Sequence, residues 1–125
     1  MRVGRIDYRM QRRASLRDVR SGLRSTGDVC DAHPDLLRAA THIGAVVAED
    51  CPLCADGDHL RHVTYVFGRR DRKDRSGRAV PRGSLARQLE RHGDLTVYTV
   101  EVCTACHWHH LVESFQLVHD GTRVS

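Results

Sequence analysis

The sequence has no long hydrophobic run, which argues against a helix that crosses a membrane. No stretch approaches the roughly 18–20 apolar residues that such a helix needs. Residues 1–7 also lack the apolar segment of a signal peptide. We therefore expect a cytoplasmic protein in a reducing compartment, with no membrane partner. Paired cysteines in that setting bind metals or carry out redox chemistry more often than they form structural disulfides.

Large apolar rings are also scarce in this chain. Aromatic residues make up 5% of the 125 residues, and only Phe67, Phe115 and Trp108 supply large, mainly apolar rings. A chain of this length is expected to form one domain with a modest core. A structural metal ion would therefore be a useful source of stability.

The usual enzyme motifs are missing as well. The chain has no nucleophile elbow, no phosphate-binding glycine loop and no His-Glu-x-x-His motif. The nearest approach to a polar cluster is Asp56, Asp58 and His59, which a solvated loop explains. We therefore predict no catalytic residues and no small-molecule substrate.

Two Cys-x-x-Cys pairs are the strongest signal that is present, Cys51–Cys54 and Cys103–Cys106. Each pair sets two thiolates at a tight turn, and four thiolates complete the tetrahedral sulfur shell that zinc prefers. These cysteines predict one structural Zn²⁺ ion per chain, with no position left for a catalytic water. A four-cysteine iron–sulfur cluster and a dithiol redox centre stay open as alternatives. The fifth cysteine, Cys30, is expected to be a small buried residue.

Hydrophobic periodicity and turn residues predict an α+β fold. We expect an N-terminal helical hairpin, followed by a zinc-ribbon-like, three-stranded antiparallel sheet with a short inserted helix. The predicted units are residues 1–45 and 46–125, within one compact domain. The predicted elements are helices over 5–22 and 34–43, strands over 62–67, 95–103 and 110–118, a charged loop over 69–83, and a short helix from Ser84 to near Gly93.

Charge is distributed unevenly along the chain. The net charge is +4, and 19 of the 20 basic residues are arginine. Residues 1–24 carry eight arginines against two acids, and residues 69–91 carry nine basic residues against three acids. This pattern favours an anionic partner, although solvated surfaces or pairing between segments would also explain it. The residues predicted to contact nucleic acid or another partner are Arg69, Arg70, Arg72, Lys73, Arg75, Arg78 and Trp108.

Some of these residues have a second interpretation. Trp108 follows the second cysteine pair directly, so its ring could instead cover the apolar side of the metal. The neighbouring His107, His109 and His110 could each replace a cysteine as ligand. We expect His110 to begin a strand and the other two to contact the turn or solvent.

Several stretches resemble a family of short actinobacterial proteins catalogued as a domain of unknown function. The matching segments are residues 29–34 (Val-Cys-Asp-Ala-x-Pro), 37–40, 51–54, 65–68, 96–98 and 100–111, which ends with Cys103-x-x-Cys106-x-Trp108-x-His110-Leu111. The chain departs from the family pattern at His109, where asparagine is expected. The resemblance implies an actinobacterial cytoplasmic protein with a zinc-ribbon-like half, and it implies no activity.

Together these features predict a non-catalytic zinc-binding module that contacts nucleic acid or a transcription or translation complex. The alternative is an adaptor that docks on a large machine such as RNA polymerase without touching nucleic acid. Apolar residues on two sides of the 5–22 segment support the adaptor. The sequence leaves the oligomeric state and the partner's identity open.

Overall fold

The structure, a computed structural model, describes residues 1–68 and 77–119. In chain order the elements are β1 (Arg2–Asp7), α1 (Arg9–Arg20), α2 (Pro34–Ile43), β2 (Ala45–Val46), β3 (Leu60–Gly68), β4 (Arg78–Val80), α3 (Leu85–His92), β5 (Leu95–Cys103) and β6 (His109–Leu117). The α+β class is confirmed. The described strands form a six-stranded antiparallel sheet in the order β1-β6-β5-β3-β2, with β4 also paired to β3. The prediction of three strands was therefore wrong.

The first strand, β1, replaces the start of the predicted helix over 5–22. Gly4 has φ +63°, which a right-handed helix does not allow, and it lies where the pairing of β1 with β6 shifts register. The helix begins only at Arg9, whose backbone N–H donates to the Asp7 carboxylate at 2.9 Å. Sheet pairing through the backbone is a long-range contact, so helical periodicity did not reveal it.

The two helices expected to form an N-terminal hairpin pack on opposite faces of the sheet. Leu16 of α1 clusters with Leu60 and Cys103. Leu36 and Ala40 of α2 instead pack with strand residues whose side chains point the other way, including Val63. The prediction of an N-terminal helical hairpin was therefore wrong. We call the side that carries Leu60 the α3 face, because α3 also packs there, and the other side the α2 face.

Helix α2 has the bounds that its sequence predicts, from Pro34 to Ile43, and Gly44 follows it. Gly44 has φ −68°, so it is not needed for a left-handed cap. It is needed for close approach, because a Cβ at this position would lie 2.5 Å from the carbonyl oxygen of Ala40. This contact lets the chain turn directly from α2 into β2.

Strands β3 and β5 pair over their full lengths, from Leu60 opposite Cys103 to Gly68 opposite Leu95. The chain between them adds β4, a 3-10 turn at Arg82–Ser84 and helix α3. The loop predicted over 69–83 is thus replaced by regular structure from Arg78 onward, while residues 69–76 lie outside the described part. The predicted short helix is present, but Ser84 does not cap it, because its hydroxyl donates to the carbonyl of Pro81 at 2.7 Å.

The α3 face is apolar at both ends and polar between them. One end holds Val66, Val97 and Phe115 under α3, and the other holds Leu60 and Cys103 against α1. Buried polar side chains such as Thr99 and Glu101 lie between these clusters. No helix in the described ranges is long and apolar enough to cross a membrane.

Replacing Gly44 with alanine should destabilise the protein by about 1–3 kcal/mol, because the new methyl group would overlap the Ala40 carbonyl. Urea unfolding followed by far-ultraviolet circular dichroism would measure this. Gly83→Ala is the matched control, since a Cβ there meets nothing within 4 Å. Equal unfolding free energies for the two variants would contradict the close contact.

Candidate metal centre

The four paired cysteines meet at one end of the sheet. Their Sγ atoms all lie within 4.8 Å of one another. Between the two pairs, Cys51 Sγ lies 3.6 Å from Cys106 Sγ and Cys54 Sγ lies 3.7 Å from Cys103 Sγ. A tetrahedral ion with metal–sulfur bonds of about 2.3 Å requires sulfur–sulfur distances of about 3.8 Å. The cluster therefore fits one metal ion.

The two cysteine turns have the same backbone conformation. In each turn the residue after the second cysteine donates its N–H to the carbonyl of the first cysteine, Ala55 to Cys51 at 3.0 Å and His107 to Cys103 at 2.9 Å. Ala55 has φ +59° and His107 has φ +70°, a left-handed conformation that non-glycine residues rarely adopt. Two copies of one local turn thus supply all four thiols.

Pairing of β3 with β5 brings these turns together. The first turn precedes β3, the second follows β5, and the Leu60–Cys103 pair joins the two strand ends. The backbone N–H of Thr104 also donates to the His59 carbonyl at 2.9 Å, which ties the second turn to the residue just before β3. The turns therefore stay adjacent although 48 residues separate Cys54 from Cys103.

Hydrogen bonds from backbone N–H groups favour the thiolate form of two of the cysteines. Leu53 donates to Cys51 Sγ and Cys106 donates to Cys103 Sγ, both at 3.4 Å. Burial raises the pKa of the Cys51 and Cys106 thiols. Burial acts the same way on Cys103, but hydrogen bonds from the backbone N–H groups of Cys106 and Ala105, together with those to the Cys54 and Cys106 side chains, outweigh it and lower its pKa. A bound cation would replace the thiol protons, because cysteine binds metal as the thiolate.

Trp108 forms a wall beside this cluster. Its side chain is fully buried, and it packs with Leu16, Cys51 and Cys103. The prediction that Trp108 contacts a base or a protein partner is therefore wrong, because neither face of the ring is open. The apolar ring helps to keep Cys51 and Cys103 away from water, whereas Cys54 is exposed.

Buried Glu101 holds the Trp108 ring in place. Trp108 Nε1 donates to Glu101 Oε2 at 2.7 Å, and Arg12 Nε donates to the same oxygen at 3.0 Å. His62 Nε2 lies 4.0 Å from the other carboxylate oxygen, and burial lowers the pKa of this imidazole. Helix α1 is therefore linked to the metal wall through a carboxylate, a connection with no local sequence signal.

Cys30 lies closer to the site than its sequence context indicated. It is half-buried rather than buried, and its Sγ is 4.0 Å from that of Cys106. It also borders a cleft of about 300 Å³ lined by Thr26, Gly27, Cys30, Leu53, Cys54 and Cys106. A thiol that comes from a distant segment cannot be assigned to such a site from spacing alone.

The histidines after the second turn lie outside the four-sulfur cluster. His109 Nε2 is 2.8 Å from the Asp31 carboxylate, an interaction that lowers the pKa of Asp31. Strand β6 begins at His109, one residue before the predicted start at His110, and the His110 ring stacks on Trp108 at a centroid distance of 5.8 Å. His107 supplies the left-handed turn position.

The predicted basic contact residues are mostly beyond the described part of the chain. Arg69, Arg70, Arg72, Lys73 and Arg75 belong to residues 69–76. Arg78 is exposed on β4 and donates to Gln88 of α3 at 3.3 Å. Arg78 lies opposite Val66, near the end of β3 that is farther from the cysteines.

Removing the Glu101 carboxylate should destabilise the fold. Glu101→Ala leaves the buried Trp108 N–H without its acceptor and Arg12 without its partner, at an expected cost of about 3 kcal/mol. Glu101→Gln keeps an acceptor and should cost less. Denaturant unfolding would measure both, with exposed Glu90→Ala as the control within about 0.5 kcal/mol of the parent. An alanine variant as stable as this control would refute the role assigned to Glu101.

Comparison with known proteins places the whole chain in one family. A family model described as "Family of unknown function (DUF5318)" matches residues 1–125. Uncharacterized protein Rv0049 of Mycobacterium tuberculosis and uncharacterized protein Mb0050 of Mycobacterium bovis are each 39% identical over 112 residues, which cover 90% of this chain and 80% of the relative. No solved structure matches. The actinobacterial resemblance is confirmed, and the chain belongs to the DUF5318 family.

Proposed function

We propose that this chain is a non-catalytic zinc-binding module, zinc-ribbon-like around its cysteine turns, that binds nucleic acid within a cytoplasmic transcription or translation complex. The four-sulfur cluster carries the zinc part of the proposal. Four cysteines fill all four positions of a tetrahedral ion, so no position remains for a reacting water. An all-sulfur shell with no open position is typical of structural rather than catalytic zinc.

A structural ion would contribute much of the stability of this end of the molecule. Apparent zinc binding energies in small folded peptides are about 10–16 kcal/mol at neutral pH. The free energy of unfolding of a whole domain is only about 5–15 kcal/mol. Loss of the ion would therefore release the two turns and expose the apolar side chains behind them.

The purified protein should contain one zinc ion per chain and show no visible absorption. Cys106→Ser should lose the ion and melt at a lower temperature, because it removes one of four ligands. Cys30→Ser makes the same chemical change 4.0 Å away and should retain one zinc. Elemental analysis and thermal unfolding would measure both.

Two results would contradict this assignment. A visible absorption band together with bound iron would identify the site as an iron–sulfur cluster instead of a zinc site. If Cys30→Ser lost its zinc while Cys106→Ser kept it, the fourth ligand would be Cys30 instead of Cys106.

A row of exposed arginines on α1 supports the proposal that the chain binds nucleic acid. Arg9, Arg13, Arg17 and Arg20 follow one another at helical spacing, and all four are exposed. Arg20 reaches the first cysteine turn, where its Nη2 donates to the Pro52 carbonyl at 3.3 Å. Within residues 1–68 and 77–119, no acid pairs with Arg13 or Arg17. Exposed guanidinium groups that have no acid partner among the described residues suit phosphate contacts.

Binding of this kind should depend strongly on salt and weakly on base sequence. Arg13→Ala with Arg17→Ala should weaken binding and reduce the slope of log affinity against log salt by about 1.4 for single strands. Fluorescence anisotropy from 50 to 300 mM salt, about the range over which such contacts fade, would measure this. Arg87→Ala with Arg91→Ala removes the same charge from the exposed surface of α3 and is the matched control. Equal slopes for the two double variants would refute the α1 contact.

A protein-interaction adaptor is the second candidate. Met10 of α1 and Ile6 of β1 have exposed fractions of 76% and 51%, which leaves apolar surface at the corner between the two elements. Affinity capture before and after nuclease treatment separates the two functions. Partners that survive nuclease and are lost in Met10→Asp would favour the adaptor.

A further inference from the structure

The α2 face of the sheet is covered at one end only. Val63 and Val102 are buried beneath α2. Farther along the same strands, the side chains of this face are half-exposed, whereas their neighbours on the α3 face, such as Val66 and Val97, are fully buried. No described helix covers this second half of the α2 face.

The half-exposed side chains form a shallow groove that is rich in aromatic rings. It has a volume of about 550 Å³ and is lined by Tyr65, Phe67, Thr96, Tyr98, Val100 and Leu111. Tyr65 lies directly opposite Tyr98 in the pairing of β3 with β5. This short stretch holds two of the three tyrosines and one of the two phenylalanines of a chain that has few aromatics. Tyr65 packs partly against the cluster under α2, but none of the three rings is fully buried, so core packing does not account for the whole grouping.

The rings are arranged to receive a flat, extended ligand. The centroids of Phe67 and Tyr98 are 5.5 Å apart, and their planes meet at 86°. A base that stacks flat on one ring therefore meets the edge of the other. Every unpaired nucleobase presents two faces for such stacking, whereas bases inside a duplex are already stacked on each other.

The sequence that follows Phe67 is rich in basic residues. The residue after Phe67 is Gly68, where β3 ends, and the chain returns at Gly77, close enough that an added Cβ would overlap the Phe67 ring. The eight residues tethered between these glycines include five basic and two acidic ones. Burial, and to a lesser extent the Asp35 carboxylate, raises the pKa of Tyr65, and the Asp35 carboxylate is itself paired with Arg38 at 3.0 Å. The chain therefore continues from the Phe67 end of the groove into a segment whose sequence has net positive charge.

We propose that the groove on the α2 face binds single-stranded nucleic acid by stacking bases on Phe67 and Tyr98. This inference rests on the nucleic-acid function proposed above and names the form of nucleic acid and the surface that reads it. Aromatic rings, together with the basic segment that follows Phe67 in the sequence, favour a strand of bases and phosphates over a second copy of this chain, which carries the same net positive charge. The α1 arginines would then act as a separate phosphate contact.

The direct test compares a fluorescein-labelled 12-nucleotide oligouridylate or oligothymidylate with a 12-base-pair duplex. Wild-type protein should bind the single strands more tightly than the duplex. Phe67→Leu with Tyr98→Leu keeps apolar bulk but removes both rings, and each lost stack should weaken single-strand binding about 5- to 150-fold. Tyr98→Phe keeps a ring and should bind within about twofold of wild type. Val46→Ala, at an exposed apolar residue of β2, is the control for surface change.

The outcomes separate the two proposals. Wild-type protein that binds neither form of nucleic acid would refute the proposed function and this inference with it. Single-strand binding that survives the double leucine change would refute this inference alone. Self-association that Tyr98→Glu abolishes, while oligonucleotide binding persists, would assign the groove to a second copy and likewise overturn it.

A crosslinking experiment keeps the inference testable if the double variant fails to fold. Wild-type protein and an oligonucleotide that contains 5-iodouridine would be irradiated, digested and analysed by mass spectrometry. Crosslinks should fall on Tyr65, Phe67 or Tyr98. Crosslinks confined to α1 would overturn the assignment while leaving the proposed function intact.

Discussion

The antiparallel register between β3 and β5 is the constraint on which the other features depend. With Leu60 opposite Cys103, the ends of the two strands hold both cysteine turns side by side. Side chains alternate between faces along a strand, so a slip of one residue would turn Cys103 away from Cys54 and move Val97 out of the α3 core. One pairing therefore aligns the metal ligands, the core and the aromatic groove together.

Burial of the metal end is achieved with few large side chains. Trp108 fills the space behind the sulfurs, and its one polar atom is satisfied by Glu101, which also holds Arg12. A buried carboxylate is costly unless its oxygens are hydrogen-bonded, and here two donors converge on one of them. The polar layer on the α3 face thus couples the position of α1 to the shape of the metal site.

Sequence patterns within short segments correctly predicted the features that depend on contacts within those segments. The spacing of the cysteines and the bounds of α2 follow from turns, caps and periodicity within about ten residues, and the structure has them as expected. Strand β5 was also predicted with its observed bounds because β-branched residues fill it. These features need no knowledge of the rest of the chain.

Long-range contacts account for what the sequence could not reveal. Strand β1 exists because the backbone of β6 offers it a partner, and the position of Cys30 near Cys106 depends on how the segment after α1 packs. Trp108 was expected both as a shield and as a contact residue, and its neighbours in sequence could not decide between them. Its burial depends on Leu16, which is 92 positions earlier in the chain.

The long β3–β5 ladder also separates two parts of the protein that could change independently. Nine residues per strand correspond to about 30 Å. The metal turns lie at one end, and the chain that carries β4 and α3 is inserted at the other. Residues could be added to that insertion, or removed from it, without moving a sulfur atom. The ladder thus works as a rigid spacer that leaves one end free to vary while the metal end stays constant.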